Sequence, residues 1–559
     1  MPVFPIFVQI KPIETMNASR RLPIGTQAFE KLRQQGDLYV DKTQYIERLQ
    51  ELGNVFFLSR PHRFGKSLFL STLRAYFEGR KELFEGLYIA EHEKEVARRR
   101  NREPWEVSPV LYLELNAETF SETGILESCL ETHLAAWEKR YGSDGIAQTL
   151  SGRFSAVIKR AYEVSKKRVV ILVDEYDKPL LETLGEPELN ETNRTLLRAF
   201  YEVLKQCDLY IRFAFLTGIT KFSKTTLFSS VNNLMDITLL DDYAAICGFT
   251  EEELTVYFTP ELEKFAEVEK SSVEKVRATL KKKYDGYCFS DKGLHVYNPF
   301  SLLRVLATCK YQDYWFDSAT PNYVVKYLQR NTYSIPKLDK GVEMDSSQIQ
   351  DFRYGAKSTI PLLFQSGYLT IKKYVPRDDS FLLGFPNEEV RSSFFKSLLP
   401  MYADIEKSEI KETIESIQQA LLDGDTAAVI EWVEPVLAAI HYGNIPSGEE
   451  GQPLREYYYQ SVLYALFYIL GLQVQTELTC ATGRIDMLIS TRKRVYILEF
   501  KTNAQGAAQD ALEQIKAQGY PTKYRKGKRP IHLVGVSFDE KKRNIGEWKE
   551  EVVAPEGRC

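Results

Sequence analysis

Short apolar runs alternate with stretches of helical period from early in this chain. Val55–Ser59 reads as a buried strand and Ser67–Phe77 as the helix that follows it. Val110–Leu115, Arg168–Val173 and Arg212–Thr217 read as further strands, with one long helical region up to about Lys167. Strand–helix alternation predicts a parallel sheet covered by helices. From about Glu251 to Tyr442 the pattern turns helical and rich in aromatics, and HYGNIPSGEEGQP (His441–Pro453) then reads as a linker of Gly, Pro, Ser and acids. Beyond it the pattern predicts a helix over Leu454–Leu470 and strands over Gln473–Leu478, Ile485–Ser490 and Val495–Phe500. A helix over Ala507–Gln518 and a strand over Ile531–Phe538 complete it.

Size and composition narrow the classes. At 559 residues the chain exceeds the roughly 250–300 at which single cores stop growing, so at least two domains are expected. Hydrophobic residues at 44% and charged residues at 27% describe a chain that folds. Seven cysteines stand singly with no C-x-x-C, which points to a reducing compartment and away from structural zinc. The longest apolar stretches fall short of the roughly 18–20 residues of a membrane span, and no signal-type segment opens the chain. A soluble cytoplasmic protein with no membrane partner is expected. The net charge of −4 is no mark of a nucleic-acid binder, but Arg484–Arg543 holds 14 Lys and Arg against 6 Asp and Glu. That excess predicts a basic face on the last domain, for which a solvated surface is the plain alternative.

The first chemical signal is VFFLSRPHRFGKSLFLSTL, Val55–Leu73, a strand leading through a loop into a helix. This is the context of a phosphate-binding loop (Walker A). Gly65 lets the backbone approach phosphate, Lys66 reaches the β- and γ-phosphates and Ser67 holds Mg²⁺, while Arg63 joins them as a nucleotide-binding candidate. The pattern G-x-x-x-x-G-K-[ST] asks for glycine where this chain has Arg60. The partner signal (Walker B) is VVILVDEYDKPLL, Val169–Leu181, a buried strand that delivers Asp174 and Glu175 at its carboxyl end. Asp174 is expected to orient Mg²⁺ and Glu175 to polarise the attacking water. An acidic strand-to-loop turn is the bland alternative. Thr217, at the end of the next strand, is a candidate γ-phosphate sensor or a simple turn cap.

Near the C-terminus, GRIDMLISTRKRVYILEFK sets Asp486 in one strand and Glu499-Phe500-Lys501 at the end of the next. Glu499 and Lys501 are two apart and share a face, and a hairpin brings Asp486 to them. Two carboxylates then hold Mg²⁺ or Mn²⁺, and Lys501 positions or activates the water that attacks phosphate. The spacing is the PD-(D/E)XK pattern without its proline. The flanking helices offer Glu456 and Gln514 as an accessory ligand or positioning residue. A solvent-facing charged hairpin is the alternative.

The segments LPIGTQAFEKLR, YVDKTQYIERL, FFLSRPHRFGKSLFLSTLRAYF, LVDEYDKPL, FLTGITKFSKTTLFSSVNNLMDITL, KKYDGYCFS with YNPFSLL, and GRIDMLI with YILEFK occur in this order. In them the chain resembles bacterial AAA-ATPase-like proteins with a C-terminal PD-(D/E)XK nuclease-like domain, over nearly everything after about Arg21. Arg60 matches the family's R-P-x-R-F-G-K-S loop, whereas Ala319 stands where glycine is expected. The resemblance implies an α/β chain with an N-terminal extension (1–19) and a three-layer P-loop NTPase domain (20–250). A helical middle region and linker (251–445) and a restriction-endonuclease-like α/β domain (446–550) follow. It implies ATP as cofactor and nucleic acid, DNA before RNA, as partner, with a homo-oligomer left open. The expected function is ATP-coupled, Mg²⁺-dependent phosphodiester cleavage in defence or mobile-element biology. The alternative is a nucleotide-dependent switch whose nuclease-like domain only binds nucleic acid or a protein.

Overall fold

The computed structural model describes residues 20–554 apart from 144, 222–226, 229–230, 232, 316–334, 350–358, 403–406, 439–453, 471, 480–483, 503–505, 526–528, 540–541 and 543. The extension at 1–19, the linker at 441–453 and the turn at Ala319 lie outside the described residues, as does most of the loop after Lys221. The chain divides into two compact units. The first comprises Met1–Ala319, Asp345–Tyr354 and Phe364–Phe381, and the second Thr320–Met344, Gly355–Leu363 and Leu382–Cys559. The stretch read as a helical middle is therefore shared between them. It also contains strands, among them Thr370–Val375.

In the first unit, β1 (Val55–Ser59), β2 (Val110–Glu114), β3 (Val169–Asp174), β4 (Ile211–Gly218) and β5 (Met235–Asp236) form a sheet in the order β2-β3-β4-β1-β5. Every pairing is parallel. β1 and β3 are buried at every residue, as strands covered on both faces must be. The order sets β4 between the strand that enters the phosphate loop and the strand that carries Asp174. Aromatic side chains dock helix Lys66–Phe77 onto β4, with Phe77 against Phe213 at 4.9 Å and Phe69 against Phe215 at 5.8 Å. The predicted long helical region is two helices, Ile125–Tyr141 and Leu150–Ser165. Gly142, with φ 91, ends the first.

A second core in this unit joins Leu38 and Val40 to helices Glu251–Tyr257, Thr259–Val268, Val273–Tyr284 and Pro299–Thr308. Thr250 and Glu253 form a capping box on the first of these helices. Buried Lys42 pairs with Glu253 and donates to the Ala245 carbonyl at 2.9 Å.

In the second unit, β6 (Gln473–Thr479), β7 (Arg484–Ser490), β8 (Val495–Thr502), β9 (Ile531–Asp539) and β10 (Asn544–Val553) make a mixed sheet in that order. Only β8 and β9 run parallel, joined through helix Ala507–Ala517. β10 was not legible in the sequence because NIGEWKEEVV is an edge strand dominated by Glu and Lys. Tyr459 of helix Leu454–Ile469 stacks on Phe538 of β9 at 4.6 Å, which seats that helix on the sheet.

Candidate active sites

The phosphate loop is built by two left-handed residues, Arg63 (φ 64) and Gly65 (φ 90), which turn the chain from β1 into the helix that starts at Lys66. Gly65 has open space where a Cβ would stand, so the dihedral selects glycine there and leaves the backbone bare. Lys66 is buried, and its ammonium donates to the carbonyls of Arg60 at 2.9 Å and Pro61 at 3.2 Å. Burial and the neighbouring Lys66 and Arg63 cations push the His62 imidazole down to about 3. It is neutral.

Arg60 accounts for the missing glycine. Its side chain is fully buried and donates to the carbonyls of Ser59 (2.9 Å), Thr238 (2.8 Å) and Tyr243 (3.0 Å), with the guanidinium 4.2 Å from the Phe289 ring. Burial lowers it only to about 10, so it remains a cation at neutral pH. Position 60 thus staples the loop to the chain after β5. Phe64 packs edge-on against Tyr287 and Phe289 at 4.8 and 5.4 Å, and Asn298 donates to the His62 carbonyl at 3.5 Å. The segments KKYDGYCFS and YNPFSLL therefore line the outside of the phosphate loop. Arg63 lies over the Phe300 ring at 4.0 Å, and Arg304 lies over the same ring at 5.2 Å.

Across β4, Asp174 is 2% exposed and accepts from the Thr217 hydroxyl at 2.8 Å and the Tyr112 hydroxyl at 3.5 Å. Burial, then the charge of Glu175, raises its carboxyl, while the Ser67 and Thr217 hydroxyls and Lys66 oppose the shift. Ser67, Asp174, Thr217 and Lys66 thus meet as one cluster. Thr217 bonds Asp174, so its hydroxyl orients that carboxylate. Glu175 sits at φ 55, a strained conformation for a residue with a side chain.

In the second unit the β7–β8 register ends on the pair of Met487 with Leu498, and Asp486 and Glu499 are the adjoining residues on the two strands. Asp486 Oδ2 accepts from the Phe500 amide at 2.9 Å. Glu499 is 2% exposed, with Lys501 Nζ 3.8 Å from its Oε1, and the Gln514 amide donates to that same oxygen. The three residues read from the hairpin and Gln514 are together. On helix Leu454–Ile469, Gln460 donates to the Asp486 carbonyl at 3.0 Å, whereas the Glu456 side chain lies outside those described.

Residues 23–228 match the family model described as predicted AAA-ATPase, and residues 454–548 match the PD-(D/E)XK nuclease superfamily. A relative from Azotobacter chroococcum mcd 1, named "Uncharacterized protein in vnfD 5'region", is 37% identical over 532 residues, which are 94% of this chain and 98% of the relative. The chain belongs to the AAA-ATPase-like family with a C-terminal PD-(D/E)XK nuclease domain. The solved Aeropyrum Pernix ORC2 protein (ADPNP-ADP complexes) overlaps 64% of this chain and 88% of its own at 12% identity. Its TM-score of 0.23 is too low to carry an argument.

For this AAA-ATPase-like chain, one expectation needs revision. Arg494 and Arg529 belong to the Arg484–Arg543 stretch read as a basic face, but both are engaged internally. Arg494 donates to the carbonyls of Leu422 at 3.3 Å and Asp423 at 2.8 Å, capping helix Lys407–Asp423. Arg529 donates to Ser490 Oγ at 2.8 Å and to the Thr491 carbonyl at 2.6 Å. Asp177 was not singled out in the sequence. It is fully buried and ties the end of β3 to the chain after β4, and the signal was a third acid, in D-E-Y-D, directly after the Walker B pair.

Asp486 and Glu499 suit a hard divalent cation, which takes one or two carboxylates and completes its shell with water and phosphate oxygens. Among the described residues no group of three or more His, Cys, Asp and Glu converges as a metal site. Nor is any helix among them long and apolar enough to cross a membrane.

Proposed function

We propose that the protein binds and hydrolyses ATP at the Lys66–Ser67 loop and couples that cycle to Mg²⁺-dependent cleavage of phosphodiester bonds in nucleic acid, DNA ahead of RNA. The observation that carries the nuclease half is the convergence of Asp486, Glu499, Lys501 and Gln514 on one end of the β7–β8 hairpin. Strands this apolar bury an acid at low exposure only when it has a use. Mg²⁺ or Mn²⁺ bound there supplies Lewis-acid polarisation of the phosphate and a more acidic water. Asp486 and Glu499 hold it, Gln514 fixes the rotamer of Glu499, and Lys501 places a positive charge beside the nucleophile. In the first unit, Lys66 and Ser67 take the phosphates and Mg²⁺, Asp174 orients the ion through its own bond to Thr217, and Glu175 polarises water. The pairing of an ATPase with a nuclease suits defence against foreign DNA or mobile-element biology.

A second reading is a nucleotide-dependent switch whose nuclease-like fold only grips nucleic acid or a protein. It is favoured by the carboxylate oxygens that the chain itself already engages, Asp486 Oδ2 by the Phe500 amide and Glu499 Oε1 by Gln514 and Lys501. The purified full chain, incubated with plasmid, linear and single-stranded DNA, with and without ATP and Mg²⁺ or Mn²⁺, decides between them. Metal-dependent cleavage supports the nuclease. Binding to DNA without cleavage in every condition replaces it with the switch.

A further inference from the structure

The turn that carries Glu175 is held by the two residues that follow it, Tyr176 and Asp177. A left-handed backbone at a residue with a side chain costs roughly 1–3 kcal/mol and persists only where the surroundings over-determine it. Here they do. The Tyr176 amide donates to the Thr217 carbonyl at 2.9 Å, and its hydroxyl donates to the Thr220 carbonyl at 2.9 Å. Asp177 Oδ2 accepts from the Ile219 amide at 3.0 Å, the Thr220 amide at 2.6 Å and the Thr220 hydroxyl at 2.6 Å. Gly218 lies between these grips, and a Cβ there would stand 2.4 Å from Asp177 Oδ1 and 2.6 Å from the Tyr176 ring. The end of β4 and the turn after β3 are thus interlocked through the two residues that directly follow Glu175.

We propose that Asp177 is a positioning residue for ATP hydrolysis: by binding the Ile219–Thr220 backbone it holds the left-handed Glu175 beside Asp174. This rests on the reading of Glu175 as the residue that polarises water. A fully buried carboxylate that spends its oxygens on one short backbone segment is an expensive way to make a turn. Burial and the charge of Glu175 push it up to about 6, against the stabilising Thr220 hydroxyl and amide, which marks it as a group kept at a cost. A plain turn would be served as well by Asn or Ser.

The test measures ATP affinity and steady-state hydrolysis on the full chain for the parental protein and five variants. These are Asp177→Asn, Thr220→Val, Thr220→Ser, Glu175→Gln and the double Glu175→Gln/Asp177→Asn. Asp177→Asn and Thr220→Val should keep ATP affinity within about twofold and lower kcat by about tenfold or more, a part of the roughly 10²–10⁴-fold that positioned proton transfer supplies. Thr220→Ser retains the hydroxyl and should recover most of the rate. The double variant should be no slower than Glu175→Gln alone, because a positioning residue has nothing left to position. An unchanged kcat in Asp177→Asn, or a loss that multiplies in the Glu175→Gln background, overturns the proposal. If Asp177→Asn does not fold, the Thr220→Val and Thr220→Ser pair decides alone. A parental chain that binds ATP without hydrolysing it sinks the reading of Glu175 and this inference together, whereas a parental rate in Asp177→Asn sinks the inference only.

Discussion

Gly535 on β9 lies so close to Ala508 at the start of helix Ala507–Ala517 that a Cβ on it would stand 2.2 Å from the Ala508 carbonyl oxygen. Gly535 is also the parallel partner of Glu499 in the sheet. The close approach seats the helix against the hairpin at the height from which Gln514, two turns on, reaches the buried Glu499 carboxylate. Gly535→Ala should push the helix away and cost on the order of 1–3 kcal/mol of stability by overpacking. DNA cleavage should fall further than stability explains. Gln514→Ala should reproduce the loss of cleavage while thermal unfolding stays near the parental midpoint. Equal cleavage by parental protein and Gln514→Ala would show that the amide has no part in the site.

Asp486, Glu499 and Lys501 should fail differently. Asp486→Asn and Glu499→Gln remove a ligand from a hard cation and should weaken metal binding and cleavage together. Lys501→Ala should leave metal and DNA affinity in place and cut poorly, since only the charge beside the nucleophile is gone. Calorimetric titration with Mn²⁺ beside a plasmid-nicking assay separates the two outcomes. Loss of metal affinity in Lys501→Ala would count against this division of roles.

Lys66→Ala should abolish ATP binding, because the ammonium that leaves the Arg60 and Pro61 carbonyls to meet phosphate is missing. Glu175→Gln keeps the shape and should retain ATP while hydrolysis stalls by about 10²-fold or more. Calorimetry and phosphate release read the two effects separately. Undiminished affinity in Lys66→Ala would remove the P-loop assignment.

Arg60→Gly restores the general Walker pattern, yet it should harm the protein. It takes the arginine donor from the carbonyls of Ser59 and Thr238, leaves Tyr243 with the Ile246 amide alone, and empties the space against Phe289. Unsatisfied buried acceptors cost about 1–3 kcal/mol each, so a loss of at least roughly 2 kcal/mol is expected, without tighter ATP binding. Urea unfolding followed at the first unit checks the first claim and nucleotide titration the second.

Asp177 also predicts a pH dependence of stability. Its carboxyl is raised in the folded state to about 6 from an ordinary value of 3.8, by burial and then by Glu175. Between those values the folded chain binds the proton and the unfolded chain does not, so the contribution is fully present below about 3.8 and is lost as pH rises through about 6. The swing is on the order of 2–3 kcal/mol. The stability difference between parental protein and Asp177→Asn should therefore shrink steadily from pH 4 to pH 7, at roughly these magnitudes. A difference that stays flat across that window would show Asp177 to be charged throughout.

The local structure around both candidate sites was legible in the amino-acid sequence. A buried strand shows itself by its run of apolar residues, and a phosphate loop by a strand, a glycine and a helix within twenty positions, so Val55–Phe77 and Val169–Asp174 could be read where they stand. The two-residue alternation of a strand likewise put Glu499 and Lys501 on one face. All of these are properties of single segments. What only the tertiary structure decided is every relation between segments distant in the chain. β4 stands between β1 and β3, so Thr217 orients Asp174, and Arg60 finds its carbonyls up to 183 residues away at Tyr243. Asp177 clamps Ile219 and Thr220, and Arg494, one of the positive charges of the Arg484–Arg543 stretch, caps a helix that ends at Asp423. Charge and periodicity record what a residue is and which way its own backbone turns it. Which carbonyl, ring or carboxylate it meets depends on strand order and packing, and these follow from closing long loops around a shared core.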